Sequence, residues 1–371
     1  MDRRELIAAV TGTSLLLACR DNAELERAST TQAPPARPSD HEIFELGDFG
    51  LMSGEVLPNA QLAYKTHGSL SDSGDNVIVF PTWYGGRHSD NEALIGTEHA
   101  LNPDRYFIVV ANQFGNGLSS SPSNTPPPYD RMRFPLVTPY DNVRAQQRLL
   151  TERYGVERIA LAVGFSMSGQ QAFHFGALYP EMVERIAPIC GSAKTSVHNY
   201  VFLEGIKAAL QADCAWQEGE YSSPPVAGIR AFSRVYTGWF ASQSFFREGL
   251  HSAFGDDLEG IFSAAEEGFG SFDANDLLAM VATWQAADIG AHPRFDGSLS
   301  AALAAIRSRA FVMPSRTDLY FPPEDNQIEV ALMPNAELRV IPSIWGHLAG
   351  GGANADDTAW LDEQLRELLR A

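Results

Sequence analysis

One junction near the middle of the chain constrains the fold more than anything else in it. From Arg158 to Gly164 the residues are almost wholly apolar, the run ends in Gly164-Phe165-Ser166-Met167-Ser168-Gly169, and Met167 to Tyr179 then reads as a helix stopped by Pro180. An apolar run of that length fits a strand covered on both faces. A serine with small residues two places away on each side, where such a strand turns sharply into a helix, fits a nucleophile elbow. The turn lifts the Ser166 hydroxyl clear of the sheet edge and aims the Met167 N–H at a substrate oxygen. Ser168 stands where the usual Gly-x-Ser-x-Gly pattern has its last glycine. An ordinary helix-capping role for Ser166 is the competing explanation.

The rest of the chain repeats the rhythm. Leu62, Tyr64 and Thr66 alternate with Ala63 and Lys65, as in a half-buried strand. Val77 to Phe80, Tyr106 to Ala111, Arg185 to Cys190, Ala310 to Met313 and Leu338 to Ile341 are short apolar runs. Helical spacing falls between them, from Tyr140 to Tyr154 and again from Asp357 to Leu369. The pattern predicts an α/β protein with a mostly parallel sheet and helices on both faces. Residues 195–307 break it: they are rich in helix formers and aromatics, Trp239, Phe240 and Trp284 among them, and show no convincing strand. They are expected to form a helical lid inserted into a core of residues 41–194 and 308–371.

The first residues read as an address. Arg3-Arg4 precedes an uncharged segment, Leu6 to Ala18, too short to span a bilayer but of the length of a secretory signal. It ends Leu16-Leu17-Ala18-Cys19, which resembles a bacterial lipobox, with Cys19 as the lipidated residue, and the arginine pair resembles a twin-arginine export signal. Residues 1–19 are therefore expected to be a signal and residues 20–40, with Pro34, Pro35 and Pro38, a tether. That places the protein outside the cytoplasm, in the periplasm or lipid-anchored to the envelope. Lys and Arg number 27 against 46 Asp and Glu, a formal charge of -19. Such a surface repels phosphate backbones, which excludes a nucleic-acid partner. Three cysteines cannot build an all-cysteine zinc site, and no His-Glu-x-x-His or Walker-type stretch occurs, so no metal or cofactor is called for.

A serine hydroxyl needs a base to take its proton, and the base needs a carboxylate to orient it. After an elbow serine the expected chain order is acid, then histidine. Asp318 follows the Ala310-to-Met313 run and His347 follows the last one, so both fall at carboxyl ends of strands, on the edge that carries Ser166. Asp325 is the rival acid. A second oxyanion N–H is expected from Pro81-Thr82-Trp83-Tyr84-Gly85-Gly86, with Trp83 preferred over Thr82 and Tyr84.

These residues resemble the homoserine O-acetyltransferase family of α/β-hydrolase fold proteins. The similarity is strongest in Asn102 to Phe107, Asp141 to Gln146, Gly164 to Gln171, Ser271 to Asp276 and Thr317 to Pro323. It implies Ser166, Asp318 and His347 as a triad, Met167 and Trp83 as oxyanion donors, and a lid from the insertion. The family's acetyltransferases grip the homoserine carboxylate with a lid arginine, and Thr237 stands at that position here. Phe165 replaces the second glycine before the nucleophile. Tyr84, Trp239 and Phe240 suggest an apolar substrate pocket instead. The leading expectation is a carboxylesterase acting on short acyl (acetyl-type) esters. The alternatives are an O-acyltransferase moving an acetyl group from acyl-CoA to an alcohol such as homoserine, and a non-catalytic anchored binding protein. The partners these readings allow are a small-molecule ester, a membrane reached through the lipid anchor, and a second copy of the chain. A Cys190–Cys214 disulfide is left open, as are pocket roles for His88, His99 and His198.

Overall fold

The computed structural model describes residues 40–370; the signal, Cys19 and nearly all of the tether lie outside the described residues. Among the described residues eight strands form one sheet, in the order β1-β2-β4-β3-β5-β6-β7-β8. They are β1 (Glu42–Gly50), β2 (Val56–His67), β3 (Val77–Val79), β4 (Phe107–Ala111), β5 (Leu161–Phe165), β6 (Arg185–Ile189), β7 (Arg309–Val312) and β8 (Ala336–Leu338). The pairings of β1 with β2 and β2 with β4 are antiparallel, and all the others are parallel. Helices of eight residues or more are α1 (Pro139–Arg148), α2 (Met167–Leu178), α3 (Val197–Gln211), α4 (Val226–Phe240), α5 (Leu258–Gly270), α6 (Ala274–Gln285), α7 (Pro323–Val330) and α8 (Ala355–Arg370).

Successive residues of the parallel strands enter two different cores. Val79, Val109, Ala162 and Val312 face α1 and α2, whose Val143, Phe173 and Phe175 close that side. Ile78, Val110, Val163 and Phe311 face α8, which contributes Leu361, Leu365 and Leu368. Burial on both faces is why these strands appear in the sequence as unbroken apolar runs. The two ends of the sheet differ. β1 escapes the sequence reading because its register against β2 shifts on both sides of Gly47, whose φ of 64° only glycine takes up easily. β8, expected at Leu338 to Ile341, lies at Ala336–Leu338, since an edge strand with a half-exposed face carries no continuous apolar signal.

Between β6 and β7 the described residues hold helices α3 to α6 and no strand. Their shared core surrounds the fully buried Trp284 and includes Phe202, Phe232 and Leu277. Tyr84, Met167, Tyr320 and Phe321, from loops at the carboxyl ends of the sheet strands and the start of α2, belong to the same core. The insertion is thus seated on the sheet edge that carries Ser166.

Candidate active site

Ser166 has φ 60° and ψ -127°, a left-handed backbone that costs a non-glycine residue about 1–3 kcal/mol. The surroundings hold it there. Its N–H donates to Ile189 O at 2.9 Å. A Cβ on Gly164 would lie 2.1 Å from Ser168 O, so strand and helix meet only because residue 164 is glycine. Ser168, the departure from the usual motif, is fully buried, and its Oγ donates to Pro81 O at 2.6 Å. The hydroxyl ties the start of α2 to the loop after β3. Phe165 also has its space made for it: a Cβ on Gly350 would stand 2.7 Å from the Phe165 ring, and one on Gly351 3.0 Å.

His347 Nε2 lies 2.9 Å from Ser166 Oγ, and His347 Nδ1 lies 2.7 Å from Asp318 Oδ2. All three residues are buried. A carboxylate oxygen accepts, so Nδ1 carries the proton and the Nε2 lone pair faces the serine hydroxyl. The other Asp318 oxygen accepts the N–H groups of Tyr320 and Phe321, at 2.8 and 3.1 Å. Thr317 Oγ1 joins the two loops, donating to Ser343 O at 3.2 Å and accepting the Gly346 N–H at 3.2 Å. The imidazole is packed between Phe165, centroids 4.7 Å apart, and Tyr320, 4.8 Å and nearly perpendicular. Asp325 sits in α7 and makes no bond to His347; burial raises its pKa, and the Glu324 charge adds to the effect. Cys190 lies beside Asp318, where burial and then the Asp318 charge push its thiol well above the ordinary value. It is a free thiol, so it does not pair with Cys214.

Among the described residues neither the Trp83 nor the Met167 N–H donates to any backbone carbonyl, whereas Thr82 gives its N–H to Ala111 O at 3.0 Å. That removes Thr82 from the candidate oxyanion donors. A cavity of about 430 Å³ opens over Ser166 and His347. Trp83, Tyr84 and Phe165 line it from the sheet side, and Tyr236, Phe240, Phe269 and Phe272 from the insertion. Trp239 does not reach it. Tyr236 and Phe240, four apart on α4, share the cavity face, while Trp239 turns to α3 and packs on His198 and Phe202, at 5.1 and 4.8 Å. Thr237 is buried, and its Oγ1 donates back to Ser233 O at 2.8 Å. Arg234, a possible stand-in for the lid arginine, pairs with Glu266 and Glu259 instead, at 2.8 and 2.9 Å.

Sequence reasoning missed the outer rim. Arg87 lines the cavity, donates to Ser271 O at 3.0 Å and lies 4.6 Å over the Phe272 ring. The Asp90 carboxylate beside it accepts the Arg87 N–H at 2.7 Å. The only hint was their position directly after Gly85-Gly86. His88, His99 and His198 stay outside the cavity. Asp40, His41 and His88 do bring ligand-type atoms within 4.8 Å of one another. However, Asn112 Nδ2 donates to His88 Nδ1, while its Oδ1 is fixed by accepting the backbone N–H of His88. The proton therefore sits on Nε2 and goes to Asp40 at 2.9 Å, which leaves no lone pair there for a metal.

An elbow serine, an imidazole and a carboxylate at the carboxyl edge of a mostly parallel sheet define a class, and the chain belongs to it: residues 75–350 match the sequence model of the alpha/beta hydrolase fold family. Within that family the chain is similar to an ethyl acetate hydrolase of Pseudomonas veronii, 39% identical over 335 residues that cover 88% of this chain and 95% of the relative. It is also similar to the homoserine O-acetyltransferase of Nostoc punctiforme, 31% identical over 316 residues, 81% of this chain and 88% of that one. Among solved structures the acetyl esterase MekB superposes with a TM-score of 0.87 at 38% identity, over 90% of this chain and 97% of the esterase.

Proposed function

We propose that the protein is a serine esterase hydrolysing short-chain acyl esters, acetyl esters foremost, through an acyl-serine intermediate. The observation that carries this is the hydrogen-bonded line from Ser166 through His347 to Asp318, opening on an apolar cavity. The names of the esterase relatives support the acetyl preference. Ser166 Oγ attacks the ester carbonyl as His347 Nε2 takes its proton. The carbonyl oxygen becomes negative and is received by the N–H groups of Met167 and Trp83, each typically worth about 2.7–4 kcal/mol of barrier. Asp318 holds the ring and stabilises the imidazolium. His347 then returns the proton to the departing alkoxide. Water enters, gives a proton to His347 and attacks the acyl-serine, which releases the carboxylic acid and restores Ser166.

Water as acceptor suits a lid in which Thr237, turned away from the cavity, occupies the position of the arginine that would hold an amino-acid carboxylate. Turnover of p-nitrophenyl acetate should fall by about 10⁴-fold or more in Ser166→Ala. A variant that hydrolyses at the wild-type rate refutes the reading. Strong preference for an alcohol over water, with acetyl-CoA as donor, would make the protein a transferase instead.

The proposal extends to location, on sequence grounds alone: export, with Cys19 carrying a lipid. Cells fed an alkyne-tagged palmitate should label the wild type and not Cys19→Ala. An unlabelled wild type removes the anchor.

A further inference from the structure

A peptide unit is one plane, with its carbonyl and its N–H on opposite sides. Whatever grips the Thr82 carbonyl therefore sets the direction of the Trp83 N–H. The grip is Gln171 on α2, whose Nε2 donates to Thr82 O at 3.2 Å. Gln171 Oε1 in turn accepts from Gln146 Nε2 on α1 at 2.7 Å. Both glutamines are buried, 1% exposed each. The direction of this chain of amides is fixed by its end: a carbonyl only accepts, so Gln171 must turn its NH₂ to Thr82 and its oxygen to Gln146.

We propose that Gln171, oriented by Gln146, is a positioning residue that points the Trp83 N–H at the developing oxyanion. The inference rests on the esterase reading above and adds residues that touch no reacting atom. The neighbouring peptides are held in the same way, Pro81 O by Ser168 Oγ at 2.6 Å and Trp83 O by Gln113 Nε2 at 2.8 Å. Consecutive carbonyls of the loop thus each carry a buried side-chain donor. A donor fixed before substrate arrives needs no reorganisation when charge develops, which is where such groups gain their effect. The bonds also run head to tail through two side-chain amides into the peptide, so each polarises the next and strengthens the final N–H. Gln146 and Gln171 lie in two of the stretches that carry the family resemblance, and the triad gives neither of them a role.

Gln171→Met keeps the length of the side chain and removes the donor. With p-nitrophenyl acetate its kcat should fall about 10- to 100-fold, less than the ~10²–10³ lost with a whole donor. KM should stay within about twofold, because the contact acts on the transition state. Affinity for a trifluoromethyl ketone, which adds to Ser166 and forms an oxyanion, should fall with kcat, while affinity for the unreactive N-ethylacetamide stays. Gln146→Met leaves the Thr82 contact in place and should show the same split at a few-fold size. Unchanged kcat in folded Gln171→Met, or equal losses for both inhibitors, overturns the proposal. If Gln171→Met does not fold, unchanged kcat in Gln146→Met overturns it alone. A wild type without esterase activity sinks the function itself, whereas an active wild type with an equally active Gln171→Met sinks only the relay.

Discussion

The sheet edge and the insertion face each other across one cavity and hold their residues by different forces. On the sheet side Ser166, His347, Asp318 and the loop after β3 are fixed by directed hydrogen bonds, several to backbone. On the insertion side the wall is rings against rings: Phe269 meets Tyr236 at 4.7 Å and Phe232 at 5.1 Å, and Tyr236 stacks at 5.7 Å on Tyr84 of the facing sheet edge. A hydrogen bond weakens steeply with angle and distance, whereas ring contacts are diffuse and many arrangements fill the same volume. Small displacements should therefore be costly on one side and tolerated on the other.

The contrast breaks if the polar side proves as forgiving as the aromatic one. Asp318→Asn should lower kcat by about 10⁴-fold in a folded protein, because the imidazole loses its tautomer. A loss below tenfold would show that the carboxylate is not needed to orient the ring.

The next effect concerns how the insertion is fastened. Asp276 on α6 accepts the Ser123 N–H at 2.9 Å and the Ser123 hydroxyl at 2.6 Å, one of its polar ties to the sheet domain. Burial raises its pKa from 3.8 to about 7 despite these bonds. Between those values the folded chain keeps a proton that the unfolded chain has lost, so stability falls as pH rises through that window. Asp276→Asn has no such proton, and from about pH 5 to about pH 7 the wild type should lose about 2 kcal/mol relative to the variant. Denaturant melts at the two pH values measure it, and parallel curves would place the carboxyl outside the tie.

The smallest effect belongs to the wall itself. Phe269→Ala should change kcat/KM for acetyl esters by about tenfold or less while raising the relative rate for longer acyl chains. A collapse to the level of Asp318→Asn, with the fold intact, would erase the distinction between the two sides.

That distinction also explains what the sequence could reveal. The elbow, the acid-then-histidine order and the buried strands were legible because each requires particular residue types at particular places along the chain. Trp83 is preferred over Thr82 from the sequence, and the structure adds the physical ground against Thr82, which gives its N–H to Ala111. The wall was read only in part. Tyr84 and Phe240 line the cavity, Trp239 does not, and Phe269 and Phe272 went unnoticed, because an aromatic residue in a helical insertion has the same signature whether it packs inward or outward. Arg87 and the Gln146–Gln171 pair were invisible for a different reason: their partners lie far away in the chain, and no local spacing records them.

The two glycines against the ring of Phe165 are not equivalent. A side chain at 350 would collide with that ring, whereas one at 351 would press it by a few tenths of an ångström and touch nothing else closely. At 350 a Cβ would also stand 2.8 Å from Cys190 Sγ and 2.9 Å from Ile189 Cγ2, so that glycine is required whatever residue 165 is. A smaller residue at 165 would thus free position 351 and leave position 350 closed, so only one of the two glycines answers to the phenylalanine.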